Sequence, residues 1–107
     1  MLRARTGPLE PVSLGAVART VAARTGAGLV VERDALVRSV ELEAALVSLV
    51  SAVRGDPALA VRGARVELRG EVPEEGLPAA FARVVAQRAG GDLHVLDGLA
   101  VMTFREG

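Results

Sequence analysis

Few side chains in this sequence can do chemistry, and their spacing narrows the choice further. There is one histidine, His94, one glutamine, Gln87, and no asparagine, cysteine, lysine, tyrosine or tryptophan. Without cysteine, disulfides, thiolate nucleophiles and Cys-ligated zinc are excluded. Glu71, Glu74 and Glu75 gather carboxylates on one short segment. A hard cation needs several convergent oxygens, and a glycosidase pair needs a cleft with a sugar platform. Three glutamates on one loop with no aromatic platform read instead as a solvated turn. The serines lack a base, because His94 falls in the last apolar stretch and nothing in its context links it to them. His94 itself reads as a half-exposed strand residue. Arg54-Gly55-Asp56-Pro57 reads as turn chemistry. Gly90-Gly91 follows a helical stretch, where the dipole repels phosphate, so the pair reads as a helix stop.

The composition excludes further classes. Thirteen arginines balance 13 acids, for a net charge of zero. That balance and the lack of base-stacking rings argue against nucleic-acid binding. Weak colloidal repulsion favours self-association. The apolar set is 19 Ala, 17 Val and 14 Leu with only two Phe, so any core is built from small aliphatic parts. No apolar run approaches the ~18 residues of a membrane span. The start, MLRARTGPLEP, has no apolar signal region. The expectation is a cytoplasmic protein with no membrane partner.

The elements that would position these residues follow from periodicity and caps. Residues 1–12, with Pro8 and Pro11, are expected to be an extended lead-in, and 13–107 a single domain. Ser13 caps a helix over 14–25, whose stripe is Leu14, Val17, Val21 and Ala22, and Gly26 and Gly28 stop it. A strand over 29–33 is followed by the most apolar helix, over about 40–53, capped by Ser39 and expected to be central. Strands over 58–62 and 65–70 form a hairpin at Gly63-Ala64. Val61 and Val66, Leu59 and Leu68 share its buried face, and Ala60, Arg62, Arg65 and Glu67 its wet face. After a loop at 72–78, Pro78 starts a helix over about 79–89. Strands over 92–96 and 99–105 turn at Asp97-Gly98. One face of that hairpin carries Leu93, Val95, Ala100 and Met102. The other carries His94, Leu96, Leu99 and Val101, a candidate interaction face unless the N-terminal Leu2 and Leu9 cover it. The order α-β-α-β-β-α-β-β predicts an α/β (α+β) two-layer sandwich, with helices on one face of a mixed sheet.

Three phrases along this frame carry a family resemblance. LEPVSLGAVARTVAARTGAGLVVE at 9–32 has an acid-Pro-Val-x-Leu start, then a helix and a strand. LEAALVSLVSAV at 42–53 is patterned like LxxxLxNLxxNA. FARVVAQRAGGDLHVLDGLAVMTF at 81–104 supplies a closing helix, a Gly-Gly stop and a final hairpin. In this order they resemble the catalytic and ATP-binding module of sensor histidine kinases, the GHKL or Bergerat-type fold. That resemblance implies an N-box whose asparagine reaches Mg²⁺ and phosphate, a D-x-G-x-G segment that binds adenine, and an ATP lid.

This chain departs from the pattern at all three places. Ser48 and Ala52 stand where the N-box asparagines would be, with Ser51 between them. Gly70 and Gly76 remain of the glycine segment, and Glu71 is the carboxylate nearest the adenine position. Only 72–78 is left for a lid. The resemblance therefore implies vestigial ATP-pocket positions at Ser48, Ser51, Ala52, Gly70, Glu71 and Gly76, with no catalytic residue, metal or cofactor. The expected role is a non-catalytic interaction module of bacterial two-component-type signalling, binding a pathway protein or itself. The alternatives are a divergent ATP-binding sensor-kinase or anti-sigma-like kinase domain, active as a protein-histidine kinase, and a histidine-phosphotransferase-like partner. Only the kinase alternative calls for ATP and Mg²⁺.

Overall fold

Ser13 opens the first helix as its side chain predicts. In the computed structural model, which describes residues 10–106, its Oγ accepts from the Ala16 amide at 3.0 Å, and helix α1 runs Leu14–Thr25. Gly26 ends it in the left-handed region (φ 78°) and donates to the Ala22 carbonyl. Immediately before α1, Val12–Ser13 (β1) pairs antiparallel with Leu36–Val37 (β3), so Val12 belongs to a small two-stranded sheet and not to a lead-in. Residues 1–9 of the expected lead-in, with Leu2 and Leu9, lie outside the described residues.

The main sheet has five strands. Gly28–Arg33 (β2) lies parallel to Arg54–Arg62 (β4), which pairs antiparallel with Arg65–Glu71 (β5). Leu99–Thr103 (β7) follows, then Leu93–Leu96 (β6), in the order β2-β4-β5-β7-β6. Both hairpins take the expected registers: Leu59 faces Leu68, Val61 faces Val66, Val95 faces Ala100 and Leu96 faces Leu99. Arg54-Gly55-Asp56-Pro57 is not a chain reversal but the start of β4. Arg54 pairs with Glu71, and the register slips before Ala58 with Gly55 at φ 94°, so the turn chemistry is spent on a bulge.

Helix α2 is Leu42–Ser51 and α3 is Leu77–Arg88. The expected cap of α2 is wrong. Ser39 Oγ contacts only the Val40 carbonyl, and Glu41 takes the N-cap position at φ 60° with no side-chain cap, its carbonyl accepting from the Ala45 amide. α3 begins two residues earlier than expected, with Pro78 in its first turn. It ends in a Schellman motif: the Gly91 amide donates to Ala86 O and the Gly90 amide to Gln87 O. A Cβ on Gly91 would meet the Thr103 carbonyl oxygen far inside contact distance, so glycine there is a packing requirement of α3 on β7.

The three helices cover one face of the sheet, with α2 between α1 and α3. One continuous core joins Leu14, Val21, Leu46, Leu49 and Val50 from the helices to Leu59, Val61, Val66, Leu68, Leu93 and Met102 from the strands. The expected two-layer mixed-sheet sandwich is the observed fold. No helix among the described residues is long and apolar enough to cross a membrane.

Candidate functional site

Among the described residues, no helix covers the sheet face turned away from α1, α2 and α3. Registry aligns a row across it: Val30, Ala60, Glu67, Val101 and His94. A second row runs Gly28, Ala58, Arg69, Leu99 and Leu96. All four residues of the candidate interaction face, His94, Leu96, Leu99 and Val101, fall here. Leu96 is 62% exposed, His94 is exposed, and Leu99 and Val101 are half-buried.

Glu67 corrects the expectation of a uniformly wet face, since it is only 4% exposed. Arg65 Nη2 reaches its carboxylate at 2.7 Å, and Arg62 lies at 3.9 Å while also pairing with Glu32 at 3.0 Å. Arg65 lies two residues before Glu67 on β5, Arg62 two residues after its register partner Ala60 on β4, and Ala60 and Val101 face it from either side. The face is therefore divided. Glu32, Arg62, Arg65 and Glu67 gather at one end, and Leu96, Leu99 and Val101 at the other, where Arg69 and His94 border them.

The six vestigial positions do not share one depression, although the end of α2 with Ser51 and Ala52 adjoins Gly70 and Glu71 through Val53 and Arg54. Ser48, on α2, lines a groove against α3 with Leu77, Pro78, Ala80, Phe81 and Val84. Gly76 is the N-cap of α3 at φ 108°. Ser51 is exposed at the end of α2, and Ala52 is its C-cap. Gly70 sits in β5 at φ 136°, where a Cβ would run into Val53, and its amide donates to Gly98 O. Glu71 opens into a different cleft, with Arg54, Pro73, Glu74 and Asp97. Ser48 and Glu71 thus line separate depressions.

Two aspartates that the sequence reading passed over organise the segment junctions. Asp34 accepts from Ser13 Oγ at 2.5 Å, from the Gly15 amide at 2.8 Å and from the Ala35 amide at 2.7 Å. The Ser13 hydroxyl, then the Gly15 amide, hold its carboxyl below the ordinary aspartate value. Asp92 accepts from the Leu93 amide, which lowers its carboxyl likewise, and from Gln87 Nε2. Arg83 donates to the Leu93 carbonyl beside it. Both act as structural clamps. The sequence signal for Asp34 is an acid directly after a strand, which is weak because its partner helix lies 19 residues back.

Among the described residues no group of three or more His, Asp or Glu is placed to hold a metal ion. Comparison with protein-family models and with curated proteins finds no match to this chain.

Proposed function

We propose that this chain is a degenerate histidine-kinase-like ATPase domain that does not turn over nucleotide. It serves as a protein–protein interaction module in two-component-type signalling in the bacterial cytoplasm. The observation that carries this reading is the lining of the α2–α3 groove. Ser48, at the first N-box position, looks onto Leu77, Pro78, Ala80, Phe81 and Val84. One hydroxyl among aliphatic and aromatic surface offers a triphosphate neither charge nor a cluster of donors. The segment between β5 and α3, Val72 to Gly76, is also too short to fold over such a ligand. The element order along which the three family-like phrases fall is present in the fold, which supports the resemblance at the level of architecture. In this reading the pathway partner meets the sheet face turned away from the helices at Leu96, Leu99 and Val101.

Calorimetric titration of Mg-ATP and Mg-ADP, paired with thermal unfolding, tests the proposal. A ligand at 100 times its Kd adds ~2.7 kcal/mol of stability, a shift that melting resolves readily. The expected result is no heat and no shift at millimolar nucleotide. A micromolar Kd overturns the non-catalytic reading in favour of a divergent ATP-binding domain.

A further inference from the structure

We propose that the depression at the C-terminal end of α3 binds the phosphate group of a small phosphomonoester, held by Arg88 and Arg105 in the field of Arg38. The site shares no lining residue with the α2–α3 groove and stands apart from the family resemblance.

Three segments meet there. Arg88 closes the last turn of α3. Arg105 follows the last strand, and its amide donates to the Ala89 carbonyl at 2.9 Å. Gly90 (φ 87°) packs so close to it that a Cβ there would meet Arg105 Cβ at 2.6 Å. Glu106 bridges to Val37, which sets Arg38 beside the same end of the helix. The three arginines, with Gln87 and Glu106, line one depression of about 410 Å³, inside the ~300–1,000 Å³ range of small-molecule sites.

The charge gathered there calls for an anion. The chain as a whole is neutral, yet three cations face one carboxylate in this depression. Like charges brought together repel, and an opposite charge relieves that cost. The cleft at Arg54 is the reverse case, with Glu71, Glu74 and Asp97 around a single arginine. Arg24, Arg62, Arg65 and Arg83 spend their guanidinium groups on carboxylates. Among the described residues, the Arg88 and Arg105 guanidinium groups make no hydrogen bond or ion pair, whereas Arg38 is already engaged and contributes its charge. The helix end opposes an anion less than a bare one would, because the Ala86, Gln87 and Ala89 carbonyls accept from the Gly91, Gly90 and Arg105 amides.

Two guanidinium forks on different segments select the ligand. One fork saturates both oxygens of a carboxylate, whereas a phosphomonoester dianion offers three terminal oxygens. No aromatic side chain is among the described lining residues, so a nucleobase gains no stacking there. Ala89 and Gly90 leave room for a small polar tail. All three arginines are exposed, so the affinity is modest, with a Kd on the order of 5 mM that rises with salt.

Amide chemical shifts of the isotope-labelled full chain test this, with glycerol phosphate and inorganic phosphate titrated to about 50 mM at constant ionic strength. Binding this weak lies below what a melting shift at millimolar ligand resolves. The expected result is saturable shifts centred on Arg88, Gly90 and Arg105, with glycerol phosphate at least as tight as inorganic phosphate. Arg88→Ala and Arg105→Ala each weaken binding about fivefold, and Glu106→Gln tightens it about twofold. Arg19→Ala, on α1, leaves it unchanged. The dispersion of each spectrum confirms that the variant is folded. Linear shifts spread over the exposed arginines, the mark of an ionic atmosphere only, overturn the proposal. So does binding indifferent to both Arg88→Ala and Arg105→Ala, binding of inorganic phosphate without glycerol phosphate, or succinate binding as tightly as glycerol phosphate.

Discussion

Replacing Asp34 with alanine removes an acceptor that two segments share. Its carboxylate takes the Ser13 hydroxyl and the Gly15 amide at the start of α1 from a position just beyond β2, and Ser13 in turn caps Ala16. The loss is therefore of a helix cap and of a charge at the positive end of a dipole together. A cap deletion costs about 1 kcal/mol, and an exposed carboxylate near a helix N-terminus contributes roughly 0.3–1 kcal/mol. Asp34 is exposed, so solvent screening keeps the sum near the low end, about 1.5 kcal/mol at neutral pH. For a domain of this size that is a fall in Tm of roughly 8 °C. Asp34→Asn retains an acceptor without the charge and loses about half as much. The pH dependence has a definite sign. The folded-state carboxyl titrates below its ordinary value, so its contribution is full above the unfolded value and disappears as pH falls through the lower folded value. Urea denaturation of wild type and Asp34→Ala from about pH 7 down to about pH 2.5 should give a constant stability gap that closes below about pH 4. A gap of the same size at the acid end, or none at pH 7, would refute the assigned role.

Three further perturbations follow from the packing. Glu67→Leu, which replaces a paired carboxylate faced by Ala60 and Val101, should change stability by less than about 1 kcal/mol in either direction. Arg65→Ala, which strips the closer of its two cations, should destabilise by about 1–2 kcal/mol, and chemical denaturation separates the two outcomes. Gly91→Ala forces a methyl into the Thr103 carbonyl and should cost about 3 kcal/mol or more, read as a large drop in Tm. A mild effect there would mean that α3 and β7 are less tightly apposed than described.

What could be read from the sequence was local. Ser13 and Gly26 set both ends of α1 through bonds spanning three or four residues, and Asp97-Gly98 set the register of the last hairpin, which placed His94, Leu96, Leu99 and Val101 correctly on one face. What escaped was long-range. β1 and β3 are two residues each and exist only because Val12 meets Val37 across 25 positions. The start of α2 departs from the expectation because Ser39 is a good cap by type, while the chain turns into the helix through a left-handed Glu41. The burial of Glu67 needed the reach of Arg62 and Arg65 over their own sheet, which alternation alone cannot convey. The separation of Ser48 from Glu71 likewise depends on how α2 is held between α1 and α3 over the sheet, and no spacing rule contains it.

The two borders of the main sheet are not alike. β6 is four residues long, and Arg83 reaches from α3 to occupy its Leu93 carbonyl. β2, on the far border, is six residues long, carries Leu29, Val30 and Val31 in succession, and among the described residues pairs on one side only. A border of that kind is a template for another strand, whereas a short, plugged one is not. Aggregation in a concentrated or heated sample therefore has a preferred direction: chains stack outward from β2, and the β6 border stays closed to growth.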